Sequence, residues 1–301
     1  MPTIVVAGGT GLLGTALVSA LRTDGHQVAV LTRRPARDGD VFWSPGGRER
    51  AWTSVLDDAE AVINLAGASI ADGRWTMARK AAIRDSRTQA TGDLVRAIAD
   101  AKRPPAVFVS SSAIGIYGTR GDEPATEDAA PGSDFLASVC REWEAVARQA
   151  APTSRVVLLR TGVVLARDGG ALPQLALPFR LFAGGPLGSG TQCVSWIHLH
   201  DWLAMVKWAL TSAGVSGPIN LTAPFPVTNA EFARTLGRVL GRPAWLRTPA
   251  FALRLVLGEI ADALVLGGQR VLPDAAQKQG FVFRYPTLEP ALRDIYTPTT
   301  H

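Results

Sequence analysis

Short apolar runs of strand length alternate with longer stretches of helical spacing along the first two thirds of the chain. Such runs occupy residues 4–7, 27–32, 61–67 and 106–110, and an apolar stripe repeats at three- and four-residue spacing through residues 85–101. Parallel strands covered by helices on both faces read as continuous apolar runs, whereas half-exposed strands alternate apolar and polar residues. The pattern therefore predicts an α/β fold with a doubly wound, mostly parallel sheet.

The first apolar run leads directly into a glycine-rich turn and then an apolar helix. In the order Gly8-x-x-Gly11-x-x-Gly14, the first glycine makes the turn, the second admits phosphates against bare backbone, and the third lets helix and strand pack closely. Free N–H groups and the helix dipole would meet a pyrophosphate there. We predict a dinucleotide-binding Rossmann domain, with cofactor contacts from Gly8, Thr10, Gly11, Leu12, Leu13 and Gly14. The alternative is a glycine turn with only a structural role.

The end of the second predicted strand indicates which dinucleotide binds. NAD-selective folds place an acidic residue there for the ribose 2′-hydroxyl, whereas an arginine accommodates a 2′-phosphate. This chain has Arg33 and Arg34 at that position, and Asp24 comes several residues too early. We predict NADP(H), with Arg33 on the phosphate and Arg34 near the adenine, against the alternative of two solvated loop arginines.

Two further strand ends should meet the same crevice. Asn64, Leu65, Ala66 and Gly67 end one apolar run in small residues, which leaves room along a cofactor. The next strand delivers residues 110–118, with three serines and a tyrosine, to the same edge. Structural strand ends are the alternative.

Composition excludes several classes of protein. The chain has 301 residues, 47% hydrophobic residues and a net charge of +5, and its four lysines are scattered. Without a basic stripe, nucleic acid is not an expected partner. Two cysteines form neither a disulfide framework nor a metal site, so we expect a reducing, cytoplasmic setting and no metal. No signal peptide is recognised, and residues 251–266 are too short and too charged to cross a membrane, which predicts a buried amphipathic helix instead.

Taken together, these motifs resemble the extended short-chain dehydrogenases/reductases, the superfamily of NAD(P)-dependent epimerases and dehydratases. The resemblance rests on the glycine loop, the strand end at 64–67, the segment from Ser110 to Gly118, and the later stretches 160–165 and 194–201. It implies NADP-dependent chemistry on a small carbonyl or hydroxyl compound. It also implies that Ser112 hydrogen-bonds the reacting oxygen.

One departure from that family concerns proton transfer. The family's donor is a tyrosine followed four residues later by a lysine that lowers the tyrosine pKa, and none of the three tyrosines here has such a lysine. Alignment places Leu136 and Cys140 in the two roles. Tyr117 is our candidate donor, together with Ser112; Cys140 and His198 are weaker candidates, since both fit apolar packing.

This departure, with Trp75, residues 184–190 and residues 195–198, resembles an atypical branch of uncharacterised epimerase-family proteins, some labelled nucleoside-diphosphate-sugar epimerases or cell-division inhibitors. Two hypotheses follow. The first is an NADP-dependent oxidoreductase or epimerase that acts on a small carbonyl/hydroxyl or nucleotide-sugar-like substrate without the usual dyad; the second is a catalytically silent NADPH-binding regulator of a protein partner.

The domain organisation predicted from these patterns is a large cofactor domain with a small lobe over it. We place the NADP-binding domain at 1–165, with its sheet completed by about 194–222, and a smaller substrate-covering lobe at 166–193 and 223–301. The helix predicted at 134–149 could form a homodimer, or could equally cover its own sheet.

Overall fold

The apolar runs form the strands of one central sheet. The computed structural model describes residues 3–297. The strands in chain order are β1 (Thr3–Ala7), β2 (Gln27–Thr32), β3 (Asp40–Phe42), β4 (Ala59–Asn64), β5 (Val107–Ala113), β6 (Pro124–Ala125), β7 (Arg155–Thr161), β8 (Val163–Leu165), β9 (Cys193–Val194), β10 (Trp196–His198), β11 (Gly217–Leu221), β12 (Val227–Thr228) and β13 (Arg270–Val271).

The helices follow the strands in alternation over the first two thirds of the chain. They are α1 (Leu12–Thr23), α2 (Met77–Asp100), α3 (Phe135–Arg148), α4 (Ala171–Arg180), α5 (Leu199–Thr211), α6 (Asn229–Leu240), α7 (Ala250–Leu257), α8 (Asp274–Lys278) and α9 (Leu288–Tyr296). Single 3-10 segments lie at Ala51–Leu56 and Ile114–Tyr117, and a π-helical segment lies at Ala261–Leu266.

Seven parallel strands form the central sheet in the order β11-β7-β5-β4-β1-β2-β3. The chain winds one way from β1 to β3 and the other way from β4 to β11. The order therefore reverses between β1 and β4, and in open α/β sheets the crevice beyond the carboxyl ends of such a strand pair is the usual ligand site. The predicted doubly wound fold is confirmed.

Alternate residues of each strand feed two separate cores. On one face, Ile4 and Val6 of β1 pack with α1 and α5; on the other, Val5 and Ala7 pack with α2 and α3. Burial of both faces explains why the strand sequences carry almost no polar alternation. It also fixes the carboxyl ends of the strands rigidly beneath the crevice.

The later part of the chain forms a smaller lobe around a third core, to which α4, α6 and α9 contribute. The strand Gly217–Leu221 adds the seventh strand to the central sheet, beside β7. Residues 193–198, which we expected to help complete that sheet, instead pair with β8 and β12 in two small sheets. Because β10 pairs with β8, and neither belongs to the central sheet, β10 lies outside that sheet.

The predicted buried helix over residues 251–266 is wrong in two respects. Helix α7 ends at Leu257 because Gly258 adopts a positive φ of 64°, and a π-helical segment follows from Ala261. No residue of α7 is buried, and Phe251, Leu255 and Val256 are each about 70% exposed. Apolar composition predicted burial, but no other element covers this face within residues 3–297. No helix in that range is long and apolar enough to cross a membrane.

Candidate functional site

The glycine loop closes the gap between β1 and α1 by bringing backbone against backbone. Gly8 has a φ of 78°, and a Cβ there would lie 2.7 Å from the Leu65 carbonyl carbon. A Cβ on Gly14 would lie 2.7 Å from the Gly9 Cα and still closer to the Gly8 carbonyl oxygen. Two of the three glycines are therefore required by close approach alone.

Gly11 differs from its two neighbours because the protein itself leaves room beside it. It caps α1 with a φ of −76°, which any residue can adopt, and a Cβ there would find Gly8 O at 3.6 Å. No side chain caps this helix, and its first turn carries no acidic residue. Thr10, Gly11 and Leu12 are exposed and Leu13 is half-buried, so the first free N–H groups of α1 remain open to an anion.

The end of β4 forms the opposite wall of the crevice. Leu65 N donates to Ala7 O at 2.8 Å, which ties this wall to β1. Asn64 is fully buried: its Nδ2 donates to Thr91 Oγ1 at 2.8 Å and its Oδ1 accepts from Ala66 N at 3.1 Å. Asn64 therefore shapes the turn through Leu65, Ala66 and Gly67, which supply backbone and small side chains; a direct contact of Asn64 with the cofactor stays a prediction.

Arg33 and Arg34 follow β2 directly and both are exposed. Arg34 N donates to Thr32 Oγ1 at 3.2 Å, which turns the chain at the strand end. Neither guanidinium pairs with a carboxylate of residues 3–297. Both cations are therefore free to meet an anion beside β2.

Ser112 lies in a buried polar cluster rather than at an open surface. It is 4% exposed, and its Oγ donates to Glu144 Oε1 at 2.7 Å. Glu144 in turn binds Arg160 through two contacts, Nε to Oε1 at 2.8 Å and Nη2 to Oε2 at 3.0 Å. Burial alone would lower the pKa of Arg160, but its hydrogen bonds to Glu144 raise it overall. The Ser112 hydroxyl therefore donates its hydrogen bond to a buried carboxylate.

Tyr117 belongs to the same cluster. It is 1% exposed; its hydroxyl donates to Asn220 Oδ1 at 2.7 Å and accepts from Arg160 Nη1 at 2.9 Å. Burial raises the pKa of Tyr117, opposed by the Arg160 charge. A catalytic role for Ser112 and Tyr117 stays a prediction, and it would require both hydroxyls to exchange their present partners for substrate.

The two weaker candidates are also enclosed. Cys140 is buried, and burial followed by the charge of Glu144 raises the pKa of its thiol to about 12, which disfavours a reactive thiolate. His198 Nδ1 accepts from His200 N at 3.0 Å, its Nε2 lies 3.4 Å from Asp294 Oδ2, and its ring lies against Tyr285 with centroids 4.2 Å apart. Burial lowers the pKa of His198. Both side chains are held inside the fold, and a catalytic role for either stays a prediction.

Two features of the site were not singled out by sequence reasoning. Thr91 accepts from both Asn64 and Trp143, at 2.8 Å each, and so joins α2, α3 and β4. Gly169 follows β8 and approaches Leu12, where a Cβ would meet the Leu12 side chain at 2.9 Å. These contacts join residues at least 27 positions apart, so no local motif could have indicated them. Arg87 of α2, in contrast, is an arginine that would suit an anionic or aromatic substrate if it faced the cleft, and its side chain lies beside Gly67.

Comparison with known proteins identifies relatives over almost the whole length. The model of the NAD dependent epimerase/dehydratase family matches residues 4–221, and a domain of unknown function matches residues 248–295. An Arabidopsis thaliana protein named epimerase family protein SDR39U1 homolog, chloroplastic, is 44% identical over 97% of this chain and 86% of its own length. The Bacillus subtilis epimerase family protein YfhF is 41% identical over 97% of both chains.

Solved structures agree in fold and in sequence. The human epimerase family protein SDR39U1, isoform 2, crystallised with NADPH, superposes with a TM-score of 0.90 and 36% identity over 97% of this chain and 98% of that one. A Corynebacterium glutamicum protein described as a nucleoside-diphosphate sugar epimerase gives a TM-score of 0.80 and 35% identity, and this chain spans 58% of it. The predicted resemblance is confirmed: this chain belongs to the NAD dependent epimerase/dehydratase family.

Proposed function

We propose that this protein binds NADP(H) in the crevice between β1 and β4 and uses it in an oxidoreductase or epimerase reaction. The substrate would be a small carbonyl or hydroxyl compound, with nucleotide sugars as one class. The observation that supports this proposal most directly is the glycine loop. Gly8 and Gly14 are required by close backbone packing, whereas the protein leaves space beside Gly11, at the start of α1. The NADPH bound to the human relative supports this assignment.

Different residues of the site would bind different parts of the cofactor. Leu12 and Leu13 would hold the pyrophosphate through backbone N–H groups, while Gly11, whose N–H donates to Gly8 O at 3.2 Å, leaves room for it. Arg33 would hold the 2′-phosphate through charge-assisted hydrogen bonds, with Arg34 beside the adenine. Leu65, Ala66 and Gly67 would border the nicotinamide half. When bound, the nicotinamide accepts or supplies a hydride.

The first test is a fluorescence titration with NADPH and, separately, NADH, which eight tryptophans make sensitive through energy transfer to the nicotinamide. We expect micromolar binding of NADPH and at least about tenfold weaker binding of NADH, a difference of about 1.4 kcal/mol. Absence of binding by both would reject the proposal.

Arg33 should set the preference between the two cofactors. Arg33→Ser is expected to weaken NADPH binding about tenfold to a hundredfold, because a charge-assisted contact to the 2′-phosphate is lost, and to leave NADH binding nearly unchanged. The same titration measures both affinities. Arg103→Ser is the matched control, since Arg103 pairs with Asp58 near the amino end of β5, away from the crevice. Equal loss for both cofactors would contradict the assignment.

A second candidate function is favoured by the cluster around Glu144. Because Ser112 donates to Glu144 and Tyr117 is held between Arg160 and Asn220, the chain holds its expected proton-transfer hydroxyls inside the fold. A silent NADPH-binding regulator needs no such group. Screening carbonyl compounds and nucleotide sugars for NADPH oxidation separates the two: turnover rejects the regulator. Unchanged hydrogen exchange in the crevice loops on NADPH binding would count against regulation.

A further inference from the structure

Arg87 is a half-buried cation without a protein counter-charge. It lies on α2, and no carboxylate of residues 3–297 pairs with it. Its guanidinium carbon stands over the Trp143 ring, 5.2 Å from the centroid, and its Nη1 donates to Ile83 O at 2.8 Å. Stacking and one carbonyl fix the plane of the guanidinium but leave its charge uncompensated.

The remaining donors of Arg87 have no partner of their own. Nε and Nη2 make no hydrogen bond within the described part of the chain, and neither is among its fully buried unsatisfied atoms. They therefore reach open space. A cation held in a partly desolvated position without a carboxylate is costly unless a ligand supplies the negative charge.

The Arg87 guanidinium lies at the crevice, beside the residues that follow β4. A Cβ built on Gly67 would lie 3.3 Å from the Arg87 guanidinium carbon, so the group sits directly over the end of β4. Gly67 comes two residues after Leu65, whose backbone contacts Gly8 of the glycine loop. Arg87 therefore lies beside the proposed cofactor wall at residues 65–67. Because β4 and β2 lie on opposite sides of β1, Arg87 is on the side away from Arg33 and the proposed 2′-phosphate site.

A second arginine, Arg79, lies two helical turns earlier on α2 and has a counter-charge of its own. Its Nη2 lies 3.7 Å from Asp72 Oδ2 and donates to Ser69 O, while its Nε is buried without a partner in the described part of the chain. Burial, and then the neighbouring charge of Arg79, lower the pKa of Arg87, while Cys140 opposes this. Like charges held together in a cleft are typical of a site that binds an anion.

We propose that Arg87, supported by Arg79, binds an anionic oxygen group of the substrate, a carboxylate or a phosphate. The proposal rests on the proposed function, since it places this group beside the nicotinamide half of the cofactor. The planar guanidinium would offer Nε and Nη2 to two oxygens of the same group, the geometry that arginine presents to carboxylate and phosphate. The substrate class is therefore an acidic carbonyl or hydroxyl compound, or a phosphorylated one.

The test uses isothermal titration of the full chain with pyruvate and with inorganic phosphate, each with and without saturating NADP+. We expect at least one probe to bind wild-type protein with a millimolar Kd, and Arg87→Met to weaken that binding tenfold or more. Arg84→Met is the matched control, because Arg84 lies on the same helix, is exposed and pairs with Asp85 at 2.9 Å; its binding should stay within twofold. NADPH affinity of Arg87→Met should stay within threefold of wild type.

Other outcomes overturn the proposal. Equal probe binding by wild type and Arg87→Met, or no probe binding by a wild-type protein that binds NADPH, rejects the anion site. Tenfold weaker NADPH binding by Arg87→Met assigns the arginine to the cofactor instead of the substrate. Failure of wild type to bind NADPH rejects the proposed function separately, and the titration without NADP+ still reports on Arg87. Should Arg87→Met fail to fold, Arg87→Lys keeps the charge, loses the planar donor pair, and should still weaken probe binding.

Discussion

Arg160→Met is expected to lower the free energy of unfolding by about 3–5 kcal/mol, because it leaves Glu144 charged and buried without its partner. Arg160 is 6% exposed and donates to Glu144, to Tyr117 and to Glu127 O. The cluster joins α3, β7 and the segment after β5, so several contacts are lost together. Thermal unfolding should shift down by about 10 °C, measured by circular dichroism and calorimetry.

Arg148→Met provides the matched control for this result. Arg148 approaches the same carboxylate, with Nη2 3.4 Å from Glu144 Oε2, but its side chain is 50% exposed. Because the Arg148 guanidinium is open to solvent and Glu144 keeps its contacts with Arg160 and Ser112, the loss should be about 0–1 kcal/mol and the melting temperature should move little. Similar losses for the two variants would show that burial of the Arg160 contact carries no special weight.

Gly11→Ala is expected to weaken NADPH binding about a hundredfold, roughly 2.7 kcal/mol, while leaving the melting temperature nearly unchanged. The added methyl group fits the fold, since its nearest protein atom would be Gly8 O at 3.6 Å, but it fills space proposed for the pyrophosphate. Fluorescence titration gives the affinity and calorimetry the stability.

Two other glycines serve as references for Gly11. Gly92→Ala lies within α2, where the new Cβ would meet Arg96 at 3.4 Å, and it should alter neither affinity nor fold. Gly14→Ala should destabilise the protein itself, because its Cβ would lie 2.7 Å from Gly9 Cα. Unimpaired NADPH binding by Gly11→Ala would place the pyrophosphate elsewhere.

The parts of the fold that the sequence predicts well are those with local causes. The apolar run at 27–32 predicts the second strand, and the structure has that strand at the same residues. Continuous apolar runs and glycine turns carry this information within a few residues. The start of α2 is different: it begins at Met77, after the Thr76 cap, eight residues before the predicted apolar stripe.

The chemistry of the site was less predictable because its partners are distant in the chain. Ser112 and Glu144 are 32 positions apart, and Tyr117 and Asn220 are 103 apart, so a motif could name the hydroxyls without showing what holds them. Arg87 is a different case. In the sequence it is one of several candidates, with Arg74, Trp75 and Arg79, that would suit an anionic or aromatic substrate if they faced the cleft, against the commoner alternative of a surface arginine. Only the structure shows that its guanidinium lies beside Gly67.

The strand order of the central sheet has a consequence for how this protein can be made. β1 lies in the interior of the sheet although it is synthesised first, and its neighbour β4 is more than fifty residues away. The edge strand β11 enters only with residues 217–221. Because parallel pairing needs these long loop closures, β1 gains its second neighbour only after residues 59–64 have been synthesised, and the sheet is complete only after residues 217–221. The order of strands in the sheet therefore makes the first strand of the chain one that pairs late during synthesis.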